Sequence, residues 1–477
     1  MKLHKTLILK IAEPNEGKKQ KLENIIDLYA GVLRFYLEVI LRLGMYRIAS
    51  LDKKSALTLL EFYTVPTKAH PDPPYPIFPG VQTGIKRSAI NKAVGMVKSY
   101  LSNLLRWYRE GKPLGHLKPS YPNPGDFSLT YYSTDVVFED VLRSKEYAFV
   151  KLKVLDEKGN YEFTNYPVKP YRKFYEKLNQ LELDGWRVKK TATLINRGED
   201  FYIALTFEKS IKRRKPKKPR YILNIDLNVR RNLACIGVFE VDWKRKESRL
   251  YGIRFVNGEL MKLVYKRDYL LEEIRKKQTL MGRKPERGDN RKLWDKVYNL
   301  NRDIALKVAK EINDMAFSLM DKGEVAVVFE KLKGLRGKKG RGKELNRKLS
   351  YWMRRSIQER MEYLSLEKGY GMGFVYPRYT SKRCSVCGSE GERFSPNGSK
   401  ALFRCSVCGY TVNGDVNAVF NQHFLYLSHL LNGGGKARSV VRVGTSLKSP
   451  STEGRNLSGV PKATATFCYI SSLLSTF

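Results

Sequence analysis

Four cysteines and three carboxylates are the residues of this chain best placed to do chemistry. Cys384/Cys387 and Cys405/Cys408 form two Cys-x-x-Cys pairs within YTSKRCSVCG…FRCSVCGYTVNGDVN, with seventeen residues between them. This is the spacing of a zinc ribbon. Gly388 and Gly409 follow the second cysteine of each pair and allow the backbone to turn into a tight knuckle. Four thiolates close a tetrahedral shell, so one Zn²⁺ bound here would be structural, with no open position for a substrate. Two disulfides or four free thiols are the alternatives, and disulfides fit poorly with a chain that shows nothing secretory. Asp415, seven residues after Cys408, is the better candidate for catalysis.

Two further acids stand where acids are costly. Asp226 interrupts the apolar run YILNIDL, and Glu330 ends the apolar run VAVVF. Strand ends that carry acids can converge with an acid at the start of a helix. Hard oxygen donors of this kind suit Mg²⁺ or Mn²⁺ rather than zinc. Two such ions about 4 Å apart would serve hydrolysis of a phosphodiester. Taken singly, each acid has an ordinary reading: Asp226 as a turn residue, Glu330 as a loop cap, Asp415 as a helix N-cap. Their joint order, with the cysteine block just before the last acid, is the more specific signal.

The bulk numbers point to a polyanionic partner. Lys and Arg number 89 against 48 Asp and Glu, a formal charge of +41, while 42% hydrophobic and 12% aromatic content are those of a folded chain. Such an excess, spread from end to end, fits nucleic acid, and binding should weaken steeply with salt. A thermophile's Lys-rich surface would carry matching Glu. No run approaches twenty apolar residues, and the N-terminus lacks a signal-peptide core and cleavage site. The expectation is a cytoplasmic, nucleoid-associated protein of about three domains.

The elements that must hold these residues read as follows. A strand is expected at Thr6–Ile11, then a helix over Lys21–Ile48. The breaker His70–Gly80 precedes an amphipathic helix over Ile85–Glu110, with Lys86, Lys92 and Arg106 off its apolar face as candidate phosphate contacts. Phe149–Leu155 alternates as a strand, and Trp186–Ile195 with Phe201–Glu208 reads as a hairpin. After the basic linker KRRKPKKPR come strands at Tyr221–Leu227 and Leu233–Glu240 and helices at Leu263–Leu280 and Arg291–Lys322. The strand Val325–Phe329, a helix near Leu349–Lys368, a strand at Gly373–Tyr376, the ribbon and a helix from Val416 complete the order. The Ser- and Gly-rich stretch from Gly433 is expected to be disordered.

The blocks ILNIDLNVRRNLACIG, VAVVFEKLKGL, PRYTSKRCSVCG and CGYTVNGDVNAVFNQ resemble the signature blocks of the TnpB family. These are OrfB-type insertion-sequence proteins related to type V CRISPR effectors. The resemblance covers about Tyr221–Asn421 well and the N-terminal half loosely. It implies an α+β multidomain fold: a β-barrel wedge domain interrupted by a helical recognition domain, then an RNase H-like (RuvC) domain with an inserted zinc ribbon. The expected boundaries are 1–20 and 125–211 for the wedge, 21–124 for the helical domain and 212–220 for the linker. The nuclease domain takes 221–378 and 410–432, the ribbon 379–409 and the tail 433–477. Asp226, Glu330 and Asp415 become the metal-binding catalytic triad, with two Mg²⁺ or Mn²⁺. The implied activity is RNA-guided DNA cleavage by a monomer. Its guide RNA derives from the transposon end, and its target is double-stranded DNA beside a short motif. The alternative is a guide-RNA-dependent regulator or transposition accessory factor without nuclease activity. Many family members carry Asp-Arg-Asp in the last block where this chain has Asn413-Gly414-Asp415.

Other signals are weaker. Gly337–Glu344 nearly spells a P-loop but ends in Glu344, which would oppose phosphate and cannot hold Mg²⁺ in place of Ser or Thr. The run Lys331–Lys348 reads instead as a basic loop, with Lys331, Lys333 and Arg336 as candidate nucleic-acid contacts or simply a solvated charge run. Five histidines show no clustered pattern, and Cys235 reads as core.

Overall fold

The computed structural model describes all residues except 110–117, 124–127, 144–147, 213–217, 229–231, 284–287, 332–352, 378–379, 395–400, 432–442, 445–463 and 468–477. The chain divides into two compact units, Met1–Ser210 and Ile211–Phe477, at the basic linker.

In the first unit, β1 (Lys2–Ile11) leads into a helical layer of α1 (Glu16–Leu43), α2 (Met45–Ser50), α3 (Lys53–Thr64) and α4 (Thr83–Arg109). The long helix expected to reach Ile48 ends five residues earlier, where Gly44 takes φ 94° and starts a separate turn. Then follow β2 (Ser128–Tyr131), β3 (Val136–Val137), α5 (Glu139–Arg143), β4 (Ala148–Leu155), β5 (Tyr161–Lys169), α6 (Phe174–Leu183), β6 (Arg187–Arg197) and β7 (Asp200–Ser210). The seven strands pair in the order β2-β6-β7-β1-β5-β4-β3. Its two edges, β2 and β3, are joined by only four residues, so the sheet curls until it is nearly closed. The strict alternation of β4 buries Val150, Leu152 and Val154 and exposes Phe149 and Lys151. The β6–β7 hairpin turns at Gly198, as its sequence suggested, with Arg197 opposite Asp200.

The second unit opens with β8 (Tyr221–Leu227), β9 (Ala234–Asp242) and β10 (Glu247–Val256), a strand missed in the sequence because its burial pattern is irregular. The helices α7 (Glu259–Leu280) and α8 (Arg291–Met320) precede β11 (Val325–Glu330), α9 (Arg354–Lys368) and β12 (Gly371–Val375). The ribbon strands β13 (Gly391–Phe394), β14 (Leu402–Cys405) and β15 (Thr411–Asn413) form their own sheet, and α10 (Gly414–Leu431) follows directly. The order β12-β11-β8-β9-β10 runs parallel from β12 to β8 and antiparallel beyond. Every residue of β8 and β11 is buried, which explains their continuous apolar runs. One face packs on α8 through Ile304, Val308, Ile312 and Ala316; the other packs on α10 through Phe424 and Leu427.

The expected disordered tail departs from expectation in two places. β16 (Val443–Gly444) and β17 (Thr464–Phe467) extend the sheet beyond β10, giving its edge groups partners.

Candidate metal and nuclease centre

β8 and β11 run parallel with Phe329 opposite Ile225, so the next residues, Asp226 and Glu330, stand side by side at the carboxyl ends of adjacent strands. This end of a parallel strand pair is where open α/β sheets place their sites. Asp415 joins them from the first turn of α10, which packs against β8 and β9. Both strand acids are buried. Burial pushes the Asp226 carboxyl well above the usual range, and the neighbouring Glu330 and Asp415 push it further. Glu330 is also raised by burial, opposed by the Thr380 hydroxyl, which donates to its Oε1 at 2.6 Å. The three acids that sequence reasoning grouped from positions 226, 330 and 415 are therefore one electrostatic cluster. Such a set of hard, mutually repelling oxygens fits a divalent cation.

The third acid is held in an unforeseen way. Asn413 Oδ1 accepts the backbone N–H groups of Asp415 at 2.9 Å and Val416 at 3.4 Å, so it is the N-cap of α10. Capping needs an oxygen acceptor, not a charge, so Asn here does the work of an Asp. Arg393, on β13, donates through Nη1 to Asp415 Oδ1 at 3.2 Å and through Nη2 to the Gly414 carbonyl at 2.9 Å. A Cβ on Gly414 would lie 2.8 Å from that guanidinium carbon. The missing arginine side chain at 414 is what admits an arginine from the ribbon. Neither Arg393 nor Thr380 was singled out in the sequence; the PRYT block carried the only hint of Thr380.

The four cysteines converge. Their sulfurs all lie within 4.8 Å of one another, with Cys384–Cys408 at 3.6 Å and Cys387–Cys405 at 3.4 Å. A disulfide would need about 2.05 Å, and all five described cysteines are free. A ZnS₄ tetrahedron with ~2.3 Å bonds has edges of roughly 3.8 Å, close to what is seen. The two knuckles repeat each other: Gly388 N–H donates to Cys384 C=O at 2.9 Å, and Gly409 N–H to Cys405 C=O at 3.2 Å. Gly388 and Gly409 adopt φ of 76° and 71°, as the turns required. The cluster is compatible with a zinc site. Among the described residues the three carboxylates do not draw as close together as these thiols.

The candidate nucleic-acid contacts are scattered. Lys86, Lys92 and Arg106 lie on α4, where Lys92 Nζ donates to Ser128 Oγ at 2.7 Å and Arg106 is exposed. Lys331 is exposed beyond β11 with Nζ 5.2 Å from the Tyr376 ring centroid. Lys333 and Arg336 lie outside the described residues. Cys235, opposite Asp226 on β9, is fully buried core, its thiol pushed up by burial and the nearby acids. Behind the acids, His423 bridges Asn224 and Ser248 at 3.2 and 2.7 Å and stacks on Phe239, locking α10 to the sheet. Burial lowers its pKa to about 3, so it stays neutral.

The TnpB-like protein aq_aa05 of Aquifex aeolicus (strain VF5) is 70% identical over 310 residues, 65% of this chain and 100% of that one. The chain belongs to the TnpB family. Residues 355–422 match the model of the Cas12f1-like TNB domain, and residues 5–156 match that of the Aq_aa04 family. The family is related to type V CRISPR effectors. The putative RNA-guided DNA endonuclease InsQ of Escherichia coli (strain K12) is 31% identical over 166 residues, 33% of this chain and 39% of that one. Superposition on the Cas12f1–sgRNA–target DNA complex covers 88% of this chain and 98% of that one, at TM-score 0.46 and 13% identity. No described helix of this TnpB-family chain is long and apolar enough to cross a membrane.

Proposed function

We propose that this TnpB-family protein is a transposon-encoded, RNA-guided DNA endonuclease that cuts phosphodiester bonds at the Asp226–Glu330–Asp415 cluster. The observation that carries this reading is the register of β8 and β11, which sets Asp226 beside Glu330 with Asp415 close enough to raise the Asp226 pKa. Buried acids that repel one another in a chain of charge +41 are hard to explain as structural. Strand order supports an RNase H-like domain, with three antiparallel strands followed by two parallel ones. The nearly closed sheet of the first unit would be the wedge and its α1–α4 layer the recognition helices.

Asp226, Glu330 and Asp415 would hold two Mg²⁺ or Mn²⁺, which when bound supply an activated water and stabilise the leaving oxygen. The protein's own residues fix orientation. Thr380 holds one oxygen of Glu330, Asn413 caps the helix start, and Arg393 keeps the Asp415 carboxylate turned to the ribbon. One Zn²⁺ on Cys384, Cys387, Cys405 and Cys408 would brace this side. A guide RNA from the transposon end would pair with one DNA strand, so base pairing would supply most of the sequence specificity. The protein would act as a monomer, contacting phosphates through residues such as Lys86, Lys92, Arg106, Lys331, Lys333 and Arg336.

Sequencing the RNA that co-purifies from the native locus and assaying cleavage of a matched plasmid with Mg²⁺ tests this reading. Wild type should cut and Asp226→Ala should not. Equal cleavage by both would remove the triad. A discrete RNA without any cleavage would favour the regulatory alternative.

A further inference from the structure

We infer that Thr380 is a positioning residue for Glu330, tying the ion-binding carboxylate to the zinc ribbon. This rests on the reading of the acid cluster as a divalent-cation site. Thr380 is 2% exposed and its hydroxyl has one proton to give. The Glu330 oxygen at 2.6 Å is closer than the Pro377 carbonyl at 3.1 Å, so the Thr380 hydroxyl donates its hydrogen bond to Glu330. With Oε1 engaged, the carboxylate cannot rotate freely. Gln358 Nε2 donates to the Glu330 carbonyl at 3.0 Å and fixes the backbone beneath it.

The segment that carries Thr380 is itself held by two residues of α10. Asn421, on α10, donates from Nδ2 to the carbonyls of Thr380 and Arg383, both at 2.8 Å. Asn417, one turn earlier, donates to the Arg383 carbonyl at 2.8 Å and accepts the Ser385 N–H at 3.0 Å. Cys384 lies within this pinned segment. The turn leading into the first knuckle is thus bonded to the helix that carries Asp415 in its first turn, and through Thr380 to Glu330. One short segment couples two acids from distant parts of the chain to the four-thiol centre. A hydroxyl buried against a metal-binding carboxylate is the kind of outer partner that sets ligand orientation.

The test measures Mn²⁺ binding to the full-length, zinc-containing protein without nucleic acid, following free Mn²⁺ by electron paramagnetic resonance. Thr380→Val keeps shape but loses the proton, and should weaken Mn²⁺ binding by roughly 10–100-fold, the usual cost of an outer-partner loss. Thr380→Ser should restore it to within a few-fold, while zinc content and melting temperature stay at wild-type values. If Thr380→Val loses zinc or unfolds, Thr380→Ala is read in its place against Thr380→Ser. Wild-type Mn²⁺ affinity in the variant lacking the hydroxyl, with zinc retained, overturns the inference. Asp226→Asn separates the two levels. Wild type binding Mn²⁺ no better than Asp226→Asn would bring down the cation-site reading and the inference with it.

Discussion

Replacing Arg393 by Met tests the electrostatics of the acid cluster directly. The guanidinium makes a 3.2 Å ion pair to Asp415, with side chains 30% and 17% exposed, and a 2.9 Å hydrogen bond to the Gly414 carbonyl. Exposed pairs contribute about 0–1 kcal/mol, and breaking fully buried ones costs about 3–5 kcal/mol. A partly buried pair, discounted for screening, should fall near 2 kcal/mol, and its carbonyl bond adds about 0.5–1 kcal/mol. The methionine keeps the volume, so cavity effects are small. For a unit of this size each kcal/mol moves the melting temperature by roughly 2–4 °C. Arg393→Met should therefore melt about 5–10 °C lower in Mg²⁺-free buffer, by differential scanning calorimetry. Removing a positive charge also leaves the cluster more negative, so added Mn²⁺ should bind more tightly and narrow the gap to wild type. A gap that stays constant as Mn²⁺ rises would show that the guanidinium and the ion do not share one charge cluster. A melting temperature unchanged from wild type would show that the ion pair carries nothing.

Two further substitutions probe the acid cluster and the four-thiol centre in turn. Asp226 and Glu330 both have raised folded-state pKa values, so the stability they contribute is present below the unfolded value of about 4 and is lost as pH rises through their folded values. Without divalent ions, wild type should lose stability from pH 5 to pH 8 relative to Asp226→Asn, and Mg²⁺ should abolish that difference; parallel melting curves at every pH would refute the linkage. Cys405→Ser should lose the bound zinc, seen by elemental analysis, and lower the melting temperature of the second unit, because a three-thiolate shell is open to solvent and binds more weakly. Full zinc content and stability in that variant would end the structural-metal assignment.

The sequence alone determined the chemistry-bearing residues wherever a local pattern sufficed. The cysteine spacing and the two knuckle glycines specify a four-thiol centre through short-range backbone geometry. The apolar runs at Tyr221–Leu227 and Val325–Phe329 read as buried strands, and an acid inside or at the end of such a run stands out. The basic run 212–220, which breaks the apolar periodicity, lies beside the division between the two units at Ser210. What tertiary structure alone decided was register and cross-chain pairing. No local signal says that Phe329 lies opposite Ile225, yet that single alignment sets Glu330 beside Asp226. Arg393 and Thr380 looked like ordinary ribbon residues because their partners, Asp415 and Glu330, are 22 and 50 positions away. The sequence showed Asn413-Gly414 only as a departure from the Asp-Arg of many family members. In three dimensions the residue without a side chain, Gly414, leaves room for the Arg393 guanidinium delivered from another strand.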